Sequence, residues 1–231
     1  MNTILNVEKI QDTIEKLYLR IQDRFPDSGL SGVCQTLHSI SLETCDTLRW
    51  ISKPNYLVRF STYLIVILII LTTVYSISKM DLIISSLSVS DLVQMFGSAL
   101  EGIAIAIAGI IFIITFENRA KRKKIISAIN RLRCIAHIID AHQLTKNPDG
   151  ISQLNIPTSN SPKRKLNKYE LGRYLEYCSE MLSLLSKTGF LYIQDFHDSI
   201  ATDAVNDLEV LATGLSRKIW QKIMIIQSKE A

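Results

Sequence analysis

Three side chains stand close enough in the sequence to suggest metal binding or proton transfer: His137, Asp140 and His142. His137 and Asp140 are three residues apart and share a helix face, whereas His142 lies five residues on and off that face. A zinc peptidase needs two histidines four apart, with a glutamate after the first, so that both imidazoles meet one ion. This cluster lacks that spacing, and His38 and His197 could join it only through folding. The plainer account of His142 is a ring beside the last carbonyls of a helix. The chain has no P-loop, no dinucleotide-binding glycine pattern and no nucleophile elbow. No catalytic residue, metal or cofactor is therefore expected. Cys34, Cys45, Cys134 and Cys178 are scattered, with no CxxC pair, and are read as reduced, buried apolar fillers.

Glu101 offers a different chemistry. It is the only acid inside an apolar segment, and carboxylates in such places are functional candidates. At the head of its segment it either reaches the aqueous interface or, in an oligomer, forms a ring at the mouth of a pore, which would favour cations.

The elements that must position these groups are two long apolar stretches, residues 57–77 and about 99–116. Each approaches the ~20 residues a helix needs to cross a bilayer. Past Arg59 neither carries any charge but Glu101. Arg49, Lys53 and Arg59 flank the first, and Arg119, Lys121, Arg122, Lys123 and Lys124 follow the second. The connecting segment 78–98 has only Lys79, beside Asp81 and Asp91. The positive-inside rule then places both termini in the cytoplasm. Trp50, Tyr56, Phe60, Tyr63, Phe112 and Phe116 fall where interfacial anchors are expected. The N-terminus lacks the apolar core of a cleavable signal peptide. The net charge of +4 owes much to the cluster after the second stretch. That cluster suits anionic headgroups, at about 1 kcal/mol per basic residue. Nucleic-acid binding is not expected, because topology already accounts for these residues.

The two stretches differ in composition. The first is rich in Leu, Ile and Val, whereas the second carries Gly102, Ala104, Ala106, Ala108 and Gly109. Gly102 with Ala106, and Ala104 with Ala108, are small-xxx-small pairs, which let helix backbones approach closely in lipid. They serve either packing against the first span or association between copies. Segment 78–98 is apolar enough to lie on the outer leaflet as a short helix, or to add a turn to each span. No breaker follows the second stretch until Pro148, and Ile125, Ile129, Leu132, Ala136 and Ile139 continue a helical stripe. The spacing predicts one unbroken helix over about 99–142.

Soluble helices are predicted on either side. Residues 2–25 carry Val7, Ile10, Ile14, Leu17 and Ile21 at spacings of three and four, a seam that packs on the chain's own helices or zips a dimer. Residues 30–50 carry Leu30, Val33, Leu37, Ile40, Thr44 and Leu48. After a Pro- and Ser-containing loop at 145–165, with the basic run Lys163-Arg164-Lys165, come helices over 168–193 and 201–227. In the last of these, Gly214 and Trp220 stand out, and packing inside the bundle is the plainer place for Trp220. The expected fold is all-α: a transmembrane helical hairpin (55–118) with a cytoplasmic helical bundle formed by N- and C-terminal helices (1–54 and 119–231).

The two spans and the basic cluster at 119–124 resemble small bacterial inner-membrane proteins with a helical cytoplasmic part. The stretches at 137–146 and 214–220 look like those of uncharacterised bacterial membrane proteins. Some proteins of this architecture are effectors of phage-defence systems, including retron-associated and cyclic-nucleotide-triggered ones. The resemblance implies membrane permeabilisation leading to growth arrest, in a homo-oligomer regulated by a cytoplasmic protein or ribonucleoprotein. It carries over no individual residue. The other reading is a non-catalytic membrane anchor that presents a partner-binding helical domain.

Overall fold

The computed structural model describes residues 4–53, 56–80, 88–146 and 166–228. Among them are six helices and no strand, so the chain is all-α. The helices are α1 (Val7–Arg24), α2 (Gly29–Ser52), α3 (Tyr56–Met80), α4 (Val89–Leu144), α5 (Lys168–Leu191) and α6 (Ser199–Ser228). Residues 81–87 of the connecting segment and 147–165 of the expected loop, with its Lys163-Arg164-Lys165 run, lie outside the described residues.

Local chemistry sets the helix ends. Asn6 caps α1 by accepting from the Lys9 N–H at 2.9 Å. Asn167 and Glu170 form a reciprocal capping box at α5, which satisfies two otherwise unpaired N–H groups. Asp198 accepts from the Ala201 N–H at 3.0 Å and caps α6. Between α1 and α2, Asp27 takes a left-handed φ of 56°, a conformation that Asp tolerates better than most residues.

The helices divide into two compact units, Met1–Ser52 with Lys124–Ala231, and Lys53–Lys123. In the first unit α1 packs on α2 and α5, α2 also meets α5, and α5 lies along α6. The α1 seam is spent inside the chain: Ile10, Ile14, Leu17 and Ile21 are all buried. Of the two uses that the spacing left open, the structure displays the intramolecular one. α5 is the central helix, buried on several sides rather than along one stripe, through Leu171, Tyr174, Tyr177, Met181, Leu184 and Thr188. Each fully buried aliphatic side chain contributes about 1.5–3 kcal/mol. The buried Thr44 and Tyr192 hydroxyls satisfy each other at 3.0 Å, so this polar pair carries little desolvation cost.

α4 belongs to both units. Its C-terminal part buries Ile125, Ile129, Leu132, Ile135, Ala136 and Ile139 in the first unit. The unbroken helix predicted over 99–142 is present and longer, beginning at Val89. α3 likewise runs on to Met80. The described part of the connecting segment therefore adds turns to both helices. Phe96–Leu144 contains an apolar window long enough to cross a membrane, and none of that window is buried. The described apolar run of α3 is shorter, Tyr63–Thr72.

One expectation fails on helix phase. Trp220 is 55% exposed, because it follows Ile219 on the helix and so points away from the Leu215, Ile219, Ile223 stripe. Phe190 is exposed for a similar reason, one position before buried Leu191.

Gly189 is needed for a close approach, since an added Cβ would stand 2.6 Å from Leu208 Cδ2. At Gly214 a Cβ would meet nothing within 4 Å. Gly214→Ala should therefore stabilise the fold by about 0.5–1 kcal/mol through helix propensity. Gly189→Val should destabilise it by about 1–3 kcal/mol through overpacking. Chemical denaturation of the two variants checks both signs.

Candidate functional site

The apolar part of α4 brings the small residues to two opposite faces, not one. At 100° per residue, Gly102, Ala106 and Gly109 share a face, and Glu101, Ala104 and Ala108 share the other. The first face is the more covered. Ala106, Gly109, Ile110, Ile113 and Glu117 are half-buried, as are Ser61, Ile65, Val66 and Ile69 of α3. A Cβ added at Gly102 or Gly109 would nonetheless meet no atom within 4 Å. Among the described residues, then, no close backbone approach uses these glycines.

The second face is open. Glu101, Ala104 and Ala108 are exposed. It continues into a groove of about 420 Å³ lined by Ala108, Ile111, Phe112, Thr115, Phe116 and Arg119. An acid and a base thus stand on one face, with apolar surface between them.

The five basic residues after this segment do not form a uniform free patch. Arg119 ends the groove and is exposed, and so is Lys123. Lys121 pairs with Glu117 at 2.8 Å, and the two side chains are only 13% and 19% exposed. Lys124 lies 4.4 Å from the Trp50 ring centroid, a cation–π contact worth about 0.5–1 kcal/mol or more. Arg122 is half-buried.

The histidine cluster is dispersed. His137 is exposed, Asp140 accepts from Gln143 Nε2 at 2.6 Å, and His142 lies against α2, where a Cβ on Gly29 would be 2.3 Å from its Cε1. Among the described residues no three His, Cys, Asp or Glu side chains are grouped to hold a metal ion. His142 stands in the last turn of α4, as expected, and Lys222 of α6 donates to the Gln143 carbonyl there at 2.8 Å and to its Oε1 at 2.5 Å. Sequence spacing gave no hint of Lys222, which is 79 positions from its partner.

Two of the four cysteines fit the filler reading. Cys34 and Cys178 are buried, whereas Cys45 is half-buried and Cys134 is exposed. Burial pushes both buried thiols up to about 12, from an ordinary value of 9.0. Sequence reasoning also passed over a groove of about 470 Å³ lined by Arg20, Asp23, Arg24, Arg173 and Tyr177. Its residues come from two helices about 150 positions apart, and no linear motif joins them.

Comparison with protein-family models, with curated proteins and with solved structures gives no match.

The thiols give a test of the core. At pH 8 a maleimide should label Cys134 first, and Cys34 and Cys178 only after unfolding, as read by mass spectrometry of peptides. The raised thiol values also make stability fall as pH climbs from about 9 towards about 12, because the unfolded chain ionises first. Replacing Cys34 and Cys178 by Ala should flatten that alkaline slope in denaturation curves.

Proposed function

We propose that the chain is an effector of an antiphage, abortive-infection type system. It resides in a bacterial inner membrane, is held inactive by its soluble helices, and permeabilises the bilayer when they release it. In this reading α3 and the apolar part of α4 are two spans and both termini are cytoplasmic. Arg119, Lys121, Arg122, Lys123 and Lys124 mark the inner headgroup level.

The observation that carries the reading is the double character of α4. Its window within Phe96–Leu144 is apolar and uncovered, whereas Ile125 to Ile139 on the same unbroken helix are core residues of the first unit. A stiff helix shared in this way passes a change in the soluble core directly to the apolar segment. The exposed Ala104–Ala108 face supports association of copies, because small residues favour close helix contact in lipid. Glu101 on that face would then line the outer mouth of the assembly. The regulator would be a cytoplasmic protein or ribonucleoprotein acting on the soluble helices. The chain itself performs no catalysis and contacts no nucleic acid.

A second reading, a non-toxic anchor for a partner-binding domain, is favoured by one observation. α6 exposes Val210, Trp220 and Met224, which suit a protein partner better than water.

Overexpression in bacteria distinguishes the two. The effector reading predicts dye uptake and loss of membrane potential, relieved by Ala104→Leu and Ala108→Leu, with Glu101→Gln reducing cation preference in planar bilayers. Equal toxicity of these variants and of Gly102→Leu and Ala106→Leu would reject the packing mechanism. Retained function after exchange of both spans for unrelated apolar helices would establish the anchor.

A further inference from the structure

We infer that the groove between α1 and α5 binds a phosphate-bearing small ligand. This rests on the first unit alone and does not depend on the membrane reading.

Arg20 and Arg24 are one helical turn apart on α1, and Arg173 faces them from α5. Three guanidinium groups therefore line one groove of about 470 Å³, a volume in the range of small-ligand sites. Tyrosine rings hold them in place. Arg173 and Arg20 lie 5.1 and 5.8 Å from the Tyr177 centroid, and Arg24 lies 5.4 Å from that of Tyr169. Stacked arginines keep a planar fork of donors in a fixed position.

The charges in the groove are only partly matched. Glu180 pairs with Arg20 at 2.6 Å and Glu176 pairs with Arg173. Asp23 stands among the lining residues. Among the described residues Arg24 has no carboxylate partner, and its companion is Tyr169. Arg173 Nε is buried and has no hydrogen-bond acceptor. An orphaned buried donor is costly and uncommon in a native fold. What it lacks is an acceptor, and what Arg24 lacks is an anion.

A phosphate group supplies the anion that Arg24 lacks, and acceptors for the guanidinium forks of Arg20 and Arg173 beside it. Its several oxygens can accept from guanidinium groups on two helices at once, in bonds stronger than neutral ones. A carboxylate has fewer oxygens and would leave donors unmet. Asp23 opposes any anion, and Glu176 competes for Arg173, so affinity depends on displacing that glutamate. Two sources share this chemistry, a free phosphorylated molecule and a lipid headgroup.

The test uses the full chain in phosphatidylcholine nanodiscs, with pyrophosphate as probe at constant ionic strength. Calorimetry and thermal unfolding should show saturable binding that raises the melting temperature. Arg24→Gln should weaken it by about tenfold, the loss of one charge-assisted contact. Arg24 is exposed and its one ring contact is with Tyr169, so the melting temperature without ligand should fall only slightly, and binding is read against each variant's own ligand-free value. Glu176→Gln should tighten binding severalfold by freeing Arg173. If phosphatidylglycerol in the nanodisc competes with pyrophosphate, the natural source is the headgroup. If it does not, the source is soluble, and both results uphold the site. Absence of saturable pyrophosphate binding in phosphatidylcholine, or equal binding by the parent, Arg24→Gln and Arg173→Gln proteins, overturns it.

Discussion

Ile125, Ile129, Leu132, Ile135, Ala136 and Ile139 bury one face of α4 in the first unit, and the arrangement of the chain depends on that burial. At about 1.5–3 kcal/mol for each large side chain, the grip exceeds the net stability of many small domains. It fixes which face of the C-terminal part of α4 meets that core.

Polar contacts secure this grip at its end. Lys222 donates to the Gln143 carbonyl in the last turn of α4 and to the side-chain amide oxygen of the same residue. Arg131 pairs with Glu43 at 2.5 Å, and Arg133 with Asp207 at 2.8 Å. The Arg131 guanidinium holds the Glu43 carboxyl below the usual carboxylate range. Both pairs are exposed and add little stability by themselves. Their value is directional, since they tie α4 to α2 on one side and to α6 on the other.

Much of the fold was legible in the sequence because helices declare themselves by period. The apolar stripes predicted for α1, α2 and the C-terminal part of α4 are nearly all buried. Where legibility failed, the cause was a contact between distant residues or a phase error of one position. Trp220 is large and apolar, and composition alone argued for burial, but it sits beside the stripe rather than on it. Cys134 fails in the same way, next to buried Ile135. The start of α4 at Val89 is one of the two readings that segment 78–98 left open, because its apolar residues suit extra turns on each stretch as well as a separate short helix. The groove of Arg20, Arg24, Arg173 and Tyr177 escaped because it exists only after α1 and α5 meet. For the apolar segment the sequence displayed the small residues and their pairing, but which pair is exposed follows only from the structure.

The first unit is built from both ends of the chain, with the apolar helices encoded between them. Synthesis imposes an order on such a layout. α1 and α2 emerge from the ribosome first, and their buried seam of Ile10, Ile14, Leu17 and Ile21 has no α5 to receive it. At ordinary ribosomal elongation rates, on the order of ten seconds pass before residues 168–191 are made. During that interval α3 and all of α4 are synthesised. The core of the first unit therefore closes last, around the C-terminal part of a helix that was complete before α5 and α6 existed.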